Sequence, residues 1–224
     1  MKKFLTSVFV LAASLLVFAG CDGNIGINTV RGTGSMNTHT IDASDFTGLN
    51  ISGAYYVTFR QADDFSVTLE IQDNLMNYVE TSVRGGVFHL GSTRNFNTAR
   101  GNTPRLYVYA PTLDELRTSG AVSANVTVDL DGKHLEIHSS GAADITLVGS
   151  ADSLDIRTSG ASNVDAFEFI VLDATINVSG AGDVRVYASN TLDANISGAG
   201  TVRYDGNPSV SRSISGAGSI RSRN

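Results

Sequence analysis

Asp155-Ile156-Arg157-Thr158-Ser159-Gly160-Ala161-Ser162-Asn163-Val164-Asp165-Ala166 is the stretch whose reading decides the fold. Counted from Gly160, Ile156 and Thr158 stand four and two residues before it, and Val164 and Ala166 stand four and six after it. Asp155 and Arg157 occupy the odd offsets between them. Apolar and polar residues therefore alternate with period two on both sides of the glycine, which is the pattern of a half-buried strand and not of a helix.

The frame repeats outward from there. Ser-Gly-Ala recurs with its glycine at Gly53, Gly120, Gly141, Gly160, Gly180, Gly198 and Gly216, and from Gly120 onward the spacings are 21, 19, 20, 18 and 18 residues. Leu116, Ile137 and Ile176 take the offset of Ile156, and Ile145, Val184, Val202 and Ile220 take that of Val164. A fixed period near 20 residues marks a solenoid, and its strand alternation predicts an all-β chain: a single parallel β-helix, or β-solenoid, with about 18–22 residues per coil. Successive coils stack about 4.8 Å apart, so equivalent residues form columns. Glycine marks either a corner with φ > 0 or a bulge where backbones pack closely, with the flanking Ser and Ala small enough for a narrow interior. The gap of 67 residues between Gly53 and Gly120 fits three further, less regular coils.

Residues 39–224 form the predicted β-helix domain, with 39–110 its less regular N-terminal part and 111–224 its regular repeats. In the former, Phe65 to Ile71 alternates cleanly, Asn74 to Glu80 fits one helical turn or a strand start, and Thr81 to Leu90 reads as strand–turn–strand around Gly85-Gly86. Ser92 to Pro104 is the longest loop and carries Arg94 and Arg100. This region is the expected cap over one end of the stack.

Composition agrees. Of 224 residues 23 are Gly, 17% are charged and 42% hydrophobic, which excludes a disordered polyelectrolyte and a coiled coil. A net charge of −6 argues against nucleic acid as a partner. The one cysteine excludes a disulfide scaffold and a cysteine-rich zinc site.

That cysteine has a place. Residues 1–20 read as a signal peptide, with Lys2 and Lys3 as basic start, an apolar run from Phe4 to Phe18, and small Ala19-Gly20 before Cys21. Val17-Phe18-Ala19-Gly20-Cys21 resembles a bacterial lipobox, with Phe18 where Leu is usual. Cleavage there makes Cys21 the lipidated N-terminus. The competing reading, an ordinary cleaved signal, leaves an exported protein with a lone free thiol. Loss of Lys2 and Lys3 leaves 14 basic against 22 acidic groups, a net charge of −8. Residues 21–38, rich in Gly, Asn and Thr, read as a flexible tether. The expected location is the periplasmic or cell-surface side of the outer membrane, reached through the lipid anchor.

Phe46-Thr47-Gly48-Leu49-Asn50-Ile51-Ser52-Gly53-Ala54-Tyr55-Tyr56-Val57, then Asn74 to Glu80, then the Ser-Gly-Ala series together resemble the auto-transporter adhesin head, or GIN, domain family, over roughly residues 40–220. The resemblance implies a right-handed β-helix on an exported bacterial protein, often a lipoprotein. It carries over no functional residues.

The residues supply little catalytic chemistry. Of His39, His89, His134 and His138, the last two share a strand face about 13 Å apart, too far for one metal. Asp144, Asp165 and Asp183 lie near corners, and paired acids hydrolyse glycosides. The coils nevertheless lack the long loops that wall a cleft, residues 92–104 excepted. We therefore expect no catalytic, cofactor-binding or metal residues, and a surface binding, adhesion or scaffold module for a glycan or protein ligand; the alternative is a polysaccharide-active lyase or glycoside hydrolase. Arg185, Arg203 and Arg221 share one offset and stack in one column. They are either a solvated column relieved by Asp183 and Asp205 or a contact strip for anions, sugar acids or a partner. Glu115, Glu136 and Asp155 beside Arg117, His138 and Arg157 are expected to pair mutually. The last coil ends in Arg221-Ser222-Arg223-Asn224, which either blunts an open edge or docks it on a second copy as a homo-oligomer.

Overall fold

The computed structural model describes residues 29–98 and 101–223. The signal segment, Cys21 and the first part of the tether lie outside the described residues.

The described chain is almost entirely strand. In order it forms β1 (Val30–Arg31), β2 (Met36–Ile41), β3 (Gly48–Gln61), β4 (Ser66–Gln72), the single turn α1 (Asp73–Met76), β5 (Val79–Arg84), β6 (Val87–Ser92), β7 (Phe96–Asn97) and β8 (Arg105–Ala110). There follow β9 (Glu115–Gly180), β10 (Asp183–Gly198), β11 (Thr201–Asp205), β12 (Ser209–Gly216) and β13 (Ser219–Ser222). The all-β expectation holds.

β9 runs for 66 residues, which drawn out straight would span roughly 220 Å. It folds back on itself instead. Gly120, Gly141 and Gly160 each adopt positive φ (99°, 110° and 103°), a region that costs glycine little and other residues much. Each also lies against the backbone of the preceding repeat: a Cβ on Gly141 would stand 2.5 Å from the Gly120 carbonyl oxygen, and one on Gly160 2.4 Å from that of Gly141. The same contact joins Gly180 to Gly160, Gly198 to Gly180, and Gly216 to Gly198. Between separate strands the pairing is parallel and in register, with Ile176 beside Ala194 and Val164 beside Val184, Val184 beside Val202 and Val202 beside Ile220. The glycines therefore form one column, and the residues four after each form another that is wholly buried, from Val57 (1% exposed) to Val202 (0%). Burying each such aliphatic side chain contributes about 1.5–3 kcal/mol.

One expectation at the corner changes. Ser and Ala of the triplet do not fill a narrow interior: Ser159, Ala161, Ser179 and Ala181 all face solvent. The left-handed glycine leaves three consecutive positions outside, and the interior is filled by the residues two before and two after it.

The N-terminal part departs further. Gly53 stacks directly on Gly120, and a Cβ on Gly120 would lie 2.4 Å from the Gly53 carbonyl oxygen. No three coils intervene. β4 runs antiparallel to β8 and β2 antiparallel to β4, while β5 and β6 form an antiparallel hairpin. Gly85 and Gly86 turn it, with φ of 58° and 77°, as a two-residue type I′ turn demands. Period-two alternation in Phe65 to Ile71 identifies a strand but says nothing of its direction, hence the discrepancy. The expected cap exists: β6 covers residues 48–51 of β3 and β8 covers 56–61, so the outer edge of the first rung is paired. Described strands also begin before residue 39. Val30 and Arg31 pair with Phe96 and Asn97, and the fully buried Gln72 amide donates to the Gly34 carbonyl at 3.0 Å.

At the other end, β12 and β13 each pair on one side only among the described residues, with β10 and β11. There the inward column of Ile176 and Ala194 ends in Arg212, an exposed charge in an aliphatic position.

Candidate binding groove

On the strand segments before each glycine, the residues three and one before it point outward. Register places Asn50 between His89 and Arg117, and Asn195 between Asn177 and Ser213. The serines next to the glycines form a second outward column beside this one. Between them runs a groove of about 730 Å³ that reaches from Asn50 to Ser215 and crosses every rung.

Its two halves differ chemically. In the first, Arg117 pairs with Glu115. Arg157 bridges Glu136 and Asp155 at 2.6 Å each, and His138 Nε2 lies 2.7 Å from Glu136. The hydrogen bond from His138 holds the Glu136 carboxyl below its ordinary value, helped by the charges of His138, Arg157 and Arg117 and opposed by partial burial. In the second half the rim is neutral: Asn195 Nδ2 donates to Asn177 Oδ1 at 3.4 Å, with Ser179 and Ser197 alongside.

The floor changes in step, from Thr118, Ser139 and Thr158 to Val178 and Ile196. Ser139 bonds the Ser162 hydroxyl at 2.9 Å. Thr118 and Thr158, each 4% exposed, have hydroxyls without a hydrogen-bond partner. A second cavity of about 590 Å³ shares Asn50 and continues toward Glu80, Ser82, Arg84 and His89, so the β5–β6 hairpin stands at one end of the groove.

This arrangement of stacked Ser-Gly-Ala corners under an antiparallel cap has a family. A model described as "Putative auto-transporter adhesin, head GIN domain" matches residues 45–208. The chain belongs to this family. Its fold is similar to that of three solved structures. One is described as a "putative adhesin" from Bacteroides fragilis, at 18% identity and TM-score 0.69, covering 86% of this chain and 99% of that one. Another is a "putative lipid binding protein" from Parabacteroides distasonis, at 22% identity and TM-score 0.56, covering 88% and 100%. A third, also from Parabacteroides distasonis and described as a "putative adhesin", has 19% identity, TM-score 0.56 and coverage of 87% and 100%. No curated protein matches the chain. At these identities the likeness is one of fold.

In this GIN domain the residues singled out by sequence fall as follows. Arg185, Arg203 and Arg221 do stack in register. Relief comes from a different acid than expected: Arg185 pairs with Asp165 at 2.9 Å, and Asp205 pairs with Arg223 at 3.4 Å, whereas Arg203 and Arg221 make no ion pair among the described residues. His134 Nδ1 meets Ser153 at 2.8 Å, away from His138. Glu115, Glu136 and His138 do bring ligand atoms within 4.8 Å of one another, but Arg117 and Arg157 already hold those carboxylates. Beside the long loop, a cavity of about 360 Å³ touches Thr103 and carries one carboxylate, Asp144, which accepts from Asn163 at 2.9 Å. No helix among the described residues is long and apolar enough to cross a membrane.

The serine column is what sequence reasoning missed as a site. Its signal was present, since Ser occupies an outward parity in every triplet, but the repeated motif reads first as a corner.

Proposed function

We propose that this GIN domain is an exported, lipid-anchored adhesion module, built as a right-handed parallel β-helix, that holds its ligand in the groove along the serine and asparagine columns. The observation that carries this reading is the groove itself: about 730 Å³ of continuous concavity lined by outward hydrogen-bonding side chains, within the size of ordinary ligand sites. The glycine column and the parallel in-register rungs support the β-helix. Cys21, outside the described residues, is the anchor in this reading. The role is binding and not catalysis. The cavity beside Thr103 offers a single carboxylate where glycoside hydrolysis uses a pair. Arg185, Arg203 and Arg221 add a separate strip for acidic groups, weaker and salt-sensitive because it is exposed.

The test is an array of glycans and proteins probed with the full chain. Ser179→Trp and Ser159→Trp, which fill the groove from exposed rim positions, are expected to abolish the signals, with thermal unfolding unchanged. Signals that survive both variants overturn the assignment. Cys21→Ser is expected to abolish incorporation of labelled fatty acid.

A further inference from the structure

We infer that the groove takes a neutral, unbranched oligosaccharide lying along the stacking axis, with about one sugar ring per rung. The inference rests on the groove being the ligand face.

Charge excludes an acidic ligand first. The two arginines on the rim, Arg117 and Arg157, face three carboxylates, Glu115, Glu136 and Asp155, all within direct ion-pair contacts. In the other half a carboxylate lies beside the amides, Asp193, which accepts from Asn195 at 3.4 Å. The groove has no cationic surplus, and a polyanion entering it would meet acids on every charged rung.

The exposed lining of the groove is more apolar than polar, so it suits a ligand that carries both apolar and hydrogen-bonding faces, as a sugar ring does. Val178 and Ile196, each only 2% exposed, supply little of that apolar surface.

Direction and spacing separate a glycan from a peptide. The groove runs across the strands, so an extended peptide lying in it cannot add to the sheet by backbone pairing, the usual mode of strand recognition. Side-chain groups instead repeat at the rung spacing of about 4.8 Å, close to the advance of one pyranose ring in an extended chain. Serine hydroxyls and asparagine amides both donate and accept, which matches sugar hydroxyls, themselves donors and acceptors. The paired Arg157, Glu136 and Asp155 keep donors and acceptors fixed together in the same manner.

The experiment titrates the full chain by calorimetry with β-1,4-linked gluco-, xylo- and manno-oligosaccharides of two to six rings and with hexagalacturonate. We expect binding by at least one neutral series, with affinity rising up to about five rings and changing less than twofold between 50 and 500 mM NaCl. Asn177→Ala with Asn195→Ala is expected to weaken it about tenfold, about 1.4 kcal/mol. Absence of binding in all three neutral series, or binding that Ser179→Trp does not remove, overturns the inference. Array signals that Ser179→Trp abolishes but that no neutral oligosaccharide competes away overturn it too, while leaving the groove as the ligand face. Salt-sensitive binding of hexagalacturonate that Ser179→Trp abolishes and Arg203→Glu spares likewise overturns it.

Discussion

The hydroxyls of Ser139 and Ser162 stand 2.9 Å apart in the interior, with Thr118 and Thr158 buried in the same column on either side of Ser139. Ser139 lies two before one glycine and Ser162 two after the next, and the same contact recurs along the stack with volume traded across it. A Cβ on Gly182 would approach the Thr158 hydroxyl, one on Gly200 the Val178 side chain, and one on Gly218 that of Ile196. Where the residue before the corner grows, the residue after the next corner shrinks to glycine. At Ser139 and Ser162 both are small and polar, and they satisfy each other. Ser162→Ala is therefore expected to cost about 1–3 kcal/mol by leaving a buried hydroxyl unpaired, whereas Ser139→Ala with Ser162→Ala is expected to cost less than either single change. Urea unfolding of the three variants closes the cycle. Additive costs would show that the two hydroxyls do not act as a pair.

The trade in volume gives a second prediction at Gly200. An added Cβ there would lie 2.6 Å from both the Val178 Cγ1 and the Gly182 carbonyl oxygen. Gly200→Ala is expected to destabilise by about 1–3 kcal/mol. Adding Val178→Ala should recover only part of the loss, because the carbonyl remains. Full recovery in thermal unfolding would mean that the backbone contact is unimportant.

Glycines of the column and of turns should respond differently. Gly160 combines φ of 103° with a Cβ position 2.4 Å from the Gly141 carbonyl oxygen, while Gly132 has φ of 70° and no atom within 4 Å. Gly160→Ala carries the strain of a left-handed residue, about 1–3 kcal/mol, and the clash besides. Gly132→Asn places a residue tolerant of this region in open space and is expected to change stability by less than about 1 kcal/mol. Equal costs at the two positions would contradict the stacked column.

Gly160 and its repeats also show how much was legible in the sequence. Side-chain parity from Ile156 to Ala166 is a local property of strands, so the inward columns, their period and the stacking of Arg185, Arg203 and Arg221 could be read directly. The direction in which Val67 pairs with Val108 is set by distant hydrogen bonds, and alternation does not record it. The same holds for the ion-pair partner of Arg185, which a shift of one rung decides in favour of Asp165 over Asp183. The groove was half legible. The outward parity of Ser159 and Asn177 was in the sequence, but concavity depends on how the rungs bend at their corners.

Glu136 makes stability depend on pH. Its carboxyl is held below the ordinary value of 4.5, chiefly by the hydrogen bond from His138. A group lowered in the folded state contributes stability that is fully present above its unfolded value and is lost as pH falls through the folded one. Glu136→Gln is therefore expected to destabilise the protein at pH 7 and to lose its effect in strong acid. Parallel urea titrations at pH 7 and pH 2.5 measure this. A difference between variant and parent that persists unchanged at pH 2.5 would rule out the linkage.

Arg203 sits in register between Arg185 and Arg221 with no ion-pair partner among the described residues. Like charges about 4.8 Å apart repel, and Asp165 neutralises only the first of the three. Arg203→Glu sets a carboxylate between two guanidinium groups and is expected to raise stability by about 0.2–1 kcal/mol, the range of exposed pairs. The gain should diminish in 1 M NaCl, where the screening length is about 3 Å. Thermal unfolding at low and high salt tests both parts, and a gain that salt leaves intact would assign the effect to packing of the shorter side chain.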